Sequence, residues 1–228
     1  MKSKSSPPKR ETTKPTVSTV LIVGSSRGIG LETVKCALKA GHNVRALARS
    51  ASTPVSHPNL EKITGDALDL GTIKEALAGV NVVIQTIGVD FSPEIIFRGT
   101  RLFSIATRVL TTAMEETGVK RLICVTDWAP GNSRNQGGFL YNLAFHLFLE
   151  RVYSDKDAQE WIIRKSTLEW VIARPAILTD GLRTRTYRVL VDPEEWRSGF
   201  ISRADVADFL VKQINYDTLL GKTPVLTG

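Results

Sequence analysis

Apolar residues along the chain fall into two alternating periods. Short, nearly continuous apolar runs rich in Val and Ile read as strands: "STVLIV" (18–23), "NVRALA" (43–48), "LEKIT" (60–64), "VNVVIQTIG" (80–88), "RLICVT" (121–126) and "LEWVIARP" (168–175). Between them, apolar residues recur at helical spacing. They do so from Ile29 to Ala40 before Gly41, through "GDALDLGTIKEALAG" with Asp69 as helix cap and a stop near Gly79, and over 99–118 and 137–166. The carboxyl-terminal part continues with a short strand in "RTYRVLV" (185–191), a helix in "SRADVADFLVKQI" (202–214) capped by Ser202, and a last strand in "TPVLT" (223–227).

Apolar strands each followed by a helix require a parallel sheet covered on both faces. The fold class is α/β, a single doubly wound Rossmann-type parallel sheet with helices on both faces. At 228 residues the chain holds one such domain over 18–228, with no room for a separate substrate domain. Substrate contacts then come from loops at the carboxyl ends of the strands.

Composition changes this picture only at one end. Hydrophobic residues make up 42% and charged residues 23%, the balance of an ordinary globule. The net charge is +7, of which +4 lies in residues 1–17, where Lys2, Lys4, Lys9, Arg10 and Lys14 face only Glu11. Rich in Lys, Ser, Thr and Pro, this segment reads as a disordered basic tail. Its lack of aromatic residues and of helical period argues against a nucleic-acid or membrane partner. No apolar run approaches the roughly 18 residues that span a bilayer, and the expected location is cytoplasmic. The two cysteines read as reduced core residues. Three histidines without ligand spacing make a metal site unexpected.

The candidate chemistry begins at "VGSSRGIG" (23–30), between the first strand and the first helix. Gly24 permits a tight turn, while Gly28 and Gly30 let backbone and helix approach a diphosphate that the helix N-terminus attracts. The loop Gly24, Ser25, Ser26, Arg27, Gly28, Ile29 and Gly30 is the candidate dinucleotide cradle. At the end of the second strand "ALARS" places Arg49 and Ser50 where NAD sites place an acid. With Arg27 nearby, two guanidiniums suit a 2′-phosphate, and the expected cofactor is NADP(H).

"GSSRGIG" resembles the cofactor loop of the short-chain dehydrogenase/reductase superfamily. "GDALD", "VNVVIQTIG", "EWVIARPAILTDG" and "ISRADVADFLV" resemble its atypical NAD(P)-binding branch, which includes NmrA-like proteins and biliverdin/flavin reductases. The likeness extends over nearly all of 18–228. It implies an adenine contact from Asp66, which otherwise reads as an exposed loop acid. It places Ile87 and Gly88 beside the ribose, and Pro175, Ala176 and Ile177 against the nicotinamide.

Many members of the superfamily use a Ser after the fifth strand and a Tyr-x-x-x-Lys on the next helix, the Tyr moving the proton. Here Thr126 and Asp127 stand at the Ser position, Phe145 follows Tyr141 by four residues, and Asp157 follows Tyr153. That dyad is absent. Lys156, three residues after Tyr153, is where the atypical branch often has a Lys that holds the nicotinamide ribose; its alternative is an exposed lysine in a charged turn. Asp127 reads either as a proton donor raised by desolvation or as an Asx cap. The catalytic candidates are Asp127, Tyr153 and Lys156, with Thr126 beside the cofactor.

Trp128, Phe139, Tyr141, Phe145, His146 and Phe148 concentrate aromatic character next to the expected nicotinamide. Trp128, Phe139 and Tyr141 are the candidate substrate wall for a flat or carbonyl-bearing small molecule. Two functions follow: an NADPH-dependent reductase, or an NADP(H)-binding sensor without chemistry. The expected partner is a small-molecule substrate, and the chain is a monomer or homodimer.

Overall fold

The computed structural model describes residues 16–49, 53–88, 101–126 and 154–228. Most of the basic tail and the whole aromatic segment 128–148 lie outside the described residues.

The first strand shows how the sequence builds the layers. In β1 (Thr19–Val23) successive side chains point to opposite faces, so Val20 and Ile22 enter one core while Leu21 and Val23 enter another. Helix α1 (Gly28–Lys39) covers the first face with Val34, Ala37 and Leu38. β2 (Asn43–Ala48) and β3 (Leu60–Thr64) extend the sheet outward from β1. α2 (Leu70–Leu77) covers the second face with Ile73, Ala76 and Leu77, and its cap is Asp69, whose carboxylate accepts from the Thr72 N–H at 2.8 Å.

β4 (Val82–Gln85) pairs on the other side of β1, which reverses the direction in which the sheet grows. α3 (Leu102–Thr117) packs on α2 with Leu110, Ala113 and Met114, followed by β5 (Arg121–Val125). A helix α4 runs through 154–165, and β6 (Glu169–Pro175) pairs with β5. Of the helix expected over 137–166, the part before 154 lies outside the described residues.

After β6 the structure departs from simple alternation. β7 (Ile177–Thr179) pairs in parallel with β9 (Phe200–Ser202) in a separate two-stranded sheet. β8 (Arg188–Leu190) runs antiparallel to β10 (Val225–Thr227) at the edge of the main sheet. The main sheet has the order β3-β2-β1-β4-β5-β6-β10-β8, the doubly wound parallel sheet expected from the sequence with one antiparallel strand, β8, at its edge. An edge strand needs only one partner, so a short returning segment can add there in either direction. α5 (Arg203–Lys212) lies beside α1 and closes the first core with Val206, Phe209 and Leu210. No helix among the described residues is long and apolar enough to cross a membrane.

Candidate functional site

The parallel registers bring the carboxyl ends of β1, β2, β4, β5 and β6 to one edge of the sheet. The order β3-β2-β1-β4 turns at β1, and the crevice at such a turning point is where open α/β sheets take ligands. The 24–30 loop stands at that point. Its backbone is sewn to both neighbours: the Gly24 and Ser25 N–H groups donate to the Leu47 carbonyl at 3.0 and 3.3 Å, and the Thr86 hydroxyl donates to the Val23 carbonyl at 3.0 Å. Ser25, fully buried, also donates its hydroxyl to Leu47 O at 3.0 Å. It fastens the loop, while Ser26 is half-buried and Arg27 exposed.

The glycines are required by space as much as by dihedral. A Cβ on Gly30 would lie 2.0 Å from the Gly24 carbonyl oxygen and 2.7 Å from Thr86 Oγ1, both impossible. One on Gly24, at φ +90°, would meet the Thr86 carbonyl at 2.8 Å. The chain is therefore pressed into a turn that only glycine allows, and the turn brings the N-terminus of α1 to the sheet edge. Arg27, at its N-cap position, makes no side-chain cap bond, and no acid occupies its first turn. Backbone donors and the positive helix end make it suited to a diphosphate, so the residues fit a dinucleotide.

The other cofactor candidates lie just past the carboxyl ends of other strands of the sheet. Arg49 is exposed just past β2, and Ser50 lies outside the described residues. Asp66 is exposed after β3 and accepts from the Leu68 N–H at 3.0 Å, an Asx turn. Ile87 is half-buried against the second core, and Gly88 is exposed. Pro175 and Ala176 are buried where the chain leaves the main sheet, while Ile177 is 56% exposed on the two-stranded sheet.

Beside the carboxyl ends of β5 and β6 the structure reveals a buried polar group that the sequence did not disclose. Glu160 on α4 receives both Arg174 bonds, Nε at 2.8 Å and Nη2 at 2.5 Å. It also accepts from the Thr126 hydroxyl at 2.9 Å and from Arg164 at 3.1 Å. Thr126 is thus committed to Glu160. Burial pushes Glu160 upward, but the Arg174 guanidinium, the Thr126 hydroxyl and Arg164 outweigh it and hold the carboxyl below its ordinary value. The Arg174 guanidinium lies 5.2 Å from the Trp196 ring centroid. The visible hint was an arginine in the apolar strand "EWVIARP"; its partner 14 residues upstream had no local signal.

Lys156 is buried rather than in an exposed charged turn, with its ammonium 4.4 Å from the Phe103 ring centroid. Its neighbour Asp155 reaches across to α3, accepting from the Phe103 N–H at 2.9 Å and the Ser104 N–H at 3.2 Å. That carboxylate caps a helix whose own N-cap residue, Arg101, supplies no side-chain cap. α4 therefore carries Asp155, Lys156 and Glu160 as one buried polar stripe beside β5. The remaining candidates, Asp127, Trp128, Phe139, Tyr141 and Tyr153, lie outside the described residues. Both cysteines are free, Cys124 buried and Cys36 only partly so.

Comparison with known proteins agrees with this geometry. The family described as NAD(P)H-binding matches residues 24–217. An uncharacterized oxidoreductase of Schizosaccharomyces pombe is 37% identical over 83 residues, 33% of this chain and 28% of that protein. The chain spans about a third of the length of the curated relatives it matches. Among solved structures, ChuY, an anaerobillin reductase from Escherichia coli O157:H7, is 25% identical with a TM-score of 0.72, covering 92% of this chain and 96% of that one. The oxidoreductase ylbE from Lactococcus lactis is 20% identical with a TM-score of 0.73, covering 92% and 90%. With a glycine cradle at the turning point of a doubly wound sheet and a family match over most of its length, the chain belongs to the NAD(P)H-binding Rossmann-fold family.

Proposed function

We propose that the protein is an NADPH-dependent reductase of the atypical short-chain dehydrogenase/reductase branch, acting on a planar or carbonyl-bearing small molecule. The observation that carries this reading is an α1 N-terminus whose N-cap residue, Arg27, supplies no side-chain cap, behind a turn in which Gly24 and Gly30 leave no space for a Cβ. When bound there, a nicotinamide cofactor supplies the hydride.

The chain's own residues have the following parts. Arg27 and Arg49, both exposed beside the loop, recognise the 2′-phosphate. Asp66 lies within the loop region expected to meet the adenine, and Ile87 and Gly88 flank the ribose. Lys156 holds the nicotinamide ribose from α4, and its burial over Phe103 restricts where its ammonium can point. Pro175, Ala176 and Ile177 form the apolar backing of the nicotinamide. Solvent, Asp127 or Tyr153 supplies the proton, and Trp128, Phe139 and Tyr141 line the acceptor's side of the site. The likeness to an anaerobillin reductase at 25% identity supports reductase chemistry on a planar acceptor.

A non-catalytic NADP(H) sensor is the second reading, favoured by the absence of Tyr-x-x-x-Lys after either Tyr141 or Tyr153. The deciding experiment is NADPH oxidation against flavins, quinones, tetrapyrroles and small carbonyls, beside calorimetric titration with NADPH and NADH. Turnover that falls in Asp127→Asn, Tyr153→Phe or Lys156→Ala supports the reductase. Tight NADPH binding without turnover on any acceptor supports the sensor, and equal affinity for NADPH and NADH overturns the cofactor preference.

A further inference from the structure

The "ISRADVA" stretch uses two of its polar residues internally. Ser202 caps α5, accepting from the Asp205 N–H at 2.9 Å and donating to its carboxylate at 2.9 Å. Asp205 then accepts from the Thr184 N–H, the Thr184 hydroxyl and the Arg185 N–H at 2.8–2.9 Å, holding Arg185 in the left-handed region at φ +62°. Arg203 does neither.

Its side chain extends toward the neighbouring helix. Beyond Gly28's own helix and chain neighbours, Arg203 Nε is the one group among the described residues within 4 Å of where a Gly28 Cβ would sit, at 3.9 Å. The same guanidinium reaches Asp180 on its other side, Nη1 to Oδ1 at 2.6 Å, and that carboxylate is 90% exposed on the segment leaving β7. Arg203 is the first residue of α5 and faces the first residue of α1. A cation beside the positive end of α1 is disfavoured by that helix's dipole, and an ion pair to so exposed a carboxylate offsets little of that. A bridging anion reverses the sign, because it meets the α1 end and the guanidinium together.

We propose that Arg203 is a diphosphate-binding residue of the cofactor site, with Asp180 as the competing counter-ion that holds it at the crevice. The inference rests on the cofactor reading above. It gives the first residue of α5 a place in the site and makes the segment after β7 sensitive to occupancy.

The test is calorimetric titration of the full chain with NADPH, with ADP as diphosphate probe and with 2′-AMP, which lacks a diphosphate. Arg203→Gln raises the Kd for ADP and NADPH about tenfold and leaves 2′-AMP unchanged, and Arg203→Lys loses less. Asp180→Asn moves the other way, lowering the Kd for ADP roughly two- to threefold as the competitor is removed. Thermal melts establish that each variant is folded, and Arg203→Lys serves if Arg203→Gln is not. An unchanged ADP affinity in Arg203→Gln overturns the proposal. So does an equal weakening by Arg203→Gln and Asp180→Asn, which marks a purely structural ion pair, or a loss shared by 2′-AMP. A wild-type protein that binds neither NADPH nor ADP refutes the cofactor reading itself, and this inference with it.

Discussion

The N-termini of α1 and α3 lie on opposite faces of the same sheet and are treated in opposite ways. At α3 a buried carboxylate from another helix, Asp155, accepts from two first-turn N–H groups. At α1 no cap among the described residues does so, and Gly24 and Gly30 let the backbone close onto Thr86 where a Cβ would clash. α2 and α5 resemble α3 in this respect, with Asp69 and Ser202 as caps. Where a helix end serves the fold, the protein supplies the anion or hydroxyl itself; where it faces the turning point of the sheet, the protein supplies only donors.

The comparison breaks most visibly at Gly30. Gly30→Ala forces a methyl to 2.0 Å from the Gly24 carbonyl and displaces the loop. We expect NADPH affinity to fall at least ~100-fold and the melting temperature to drop, read by calorimetry and thermal melting. Asp155→Ala acts in reverse. It leaves two first-turn N–H groups of α3 without their acceptor and costs about 1–3 kcal/mol by urea denaturation, while ADP affinity is unchanged. Ser202→Ala removes a single-hydroxyl cap and costs about 1 kcal/mol in the same assay.

Acid sharpens the contrast by a smaller margin. Burial holds the His42 imidazole, which accepts the Ser18 N–H at Nδ1, below its usual 6.5. Its contribution is complete above pH 6.5 and declines as the pH falls below that value, because the unfolded chain takes up the proton first. Glu160 and Asp205 are both depressed below their ordinary values of 4.5 and 3.8. Burial raises each, but Arg174, Thr126 and Arg164 for Glu160, and the Arg185 N–H, Ser202 and Thr184 for Asp205, prevail. Their contribution is complete above those values and is lost progressively as the pH falls below them, because the unfolded chain takes up the protons first. Melting temperature against pH is therefore expected to decline in two stages, and His42→Gln to remove the upper one.

What could be read from the sequence was what is local. β2 and β3 carry their boundaries in their apolar runs, and Asp69 and Ser202 announce their helices because a cap acts three residues away. The glycine spacing at 24, 28 and 30 is local too. Asp155 was not legible as a cap, since its partners lie 51 and 52 residues earlier. The Glu160–Arg174 pair joins a helix to the far end of the next strand. The two-stranded β7–β9 sheet pairs segments more than 20 residues apart, and the antiparallel β8 owes its place to being at an edge, which periodicity does not encode. Arg203 sits in a stretch whose helical pattern was plain, yet its direction toward Gly28 depends on how α5 packs on α1.

The central claim is that the α1 end is built for a dinucleotide diphosphate, and the most direct test is calorimetric titration of NADPH into the wild-type protein and into Gly30→Ala. Saturable one-site binding by the wild type, lost in Gly30→Ala, is the expected result. Binding that survives undiminished in a folded Gly30→Ala protein, or no binding by the wild type, contradicts it.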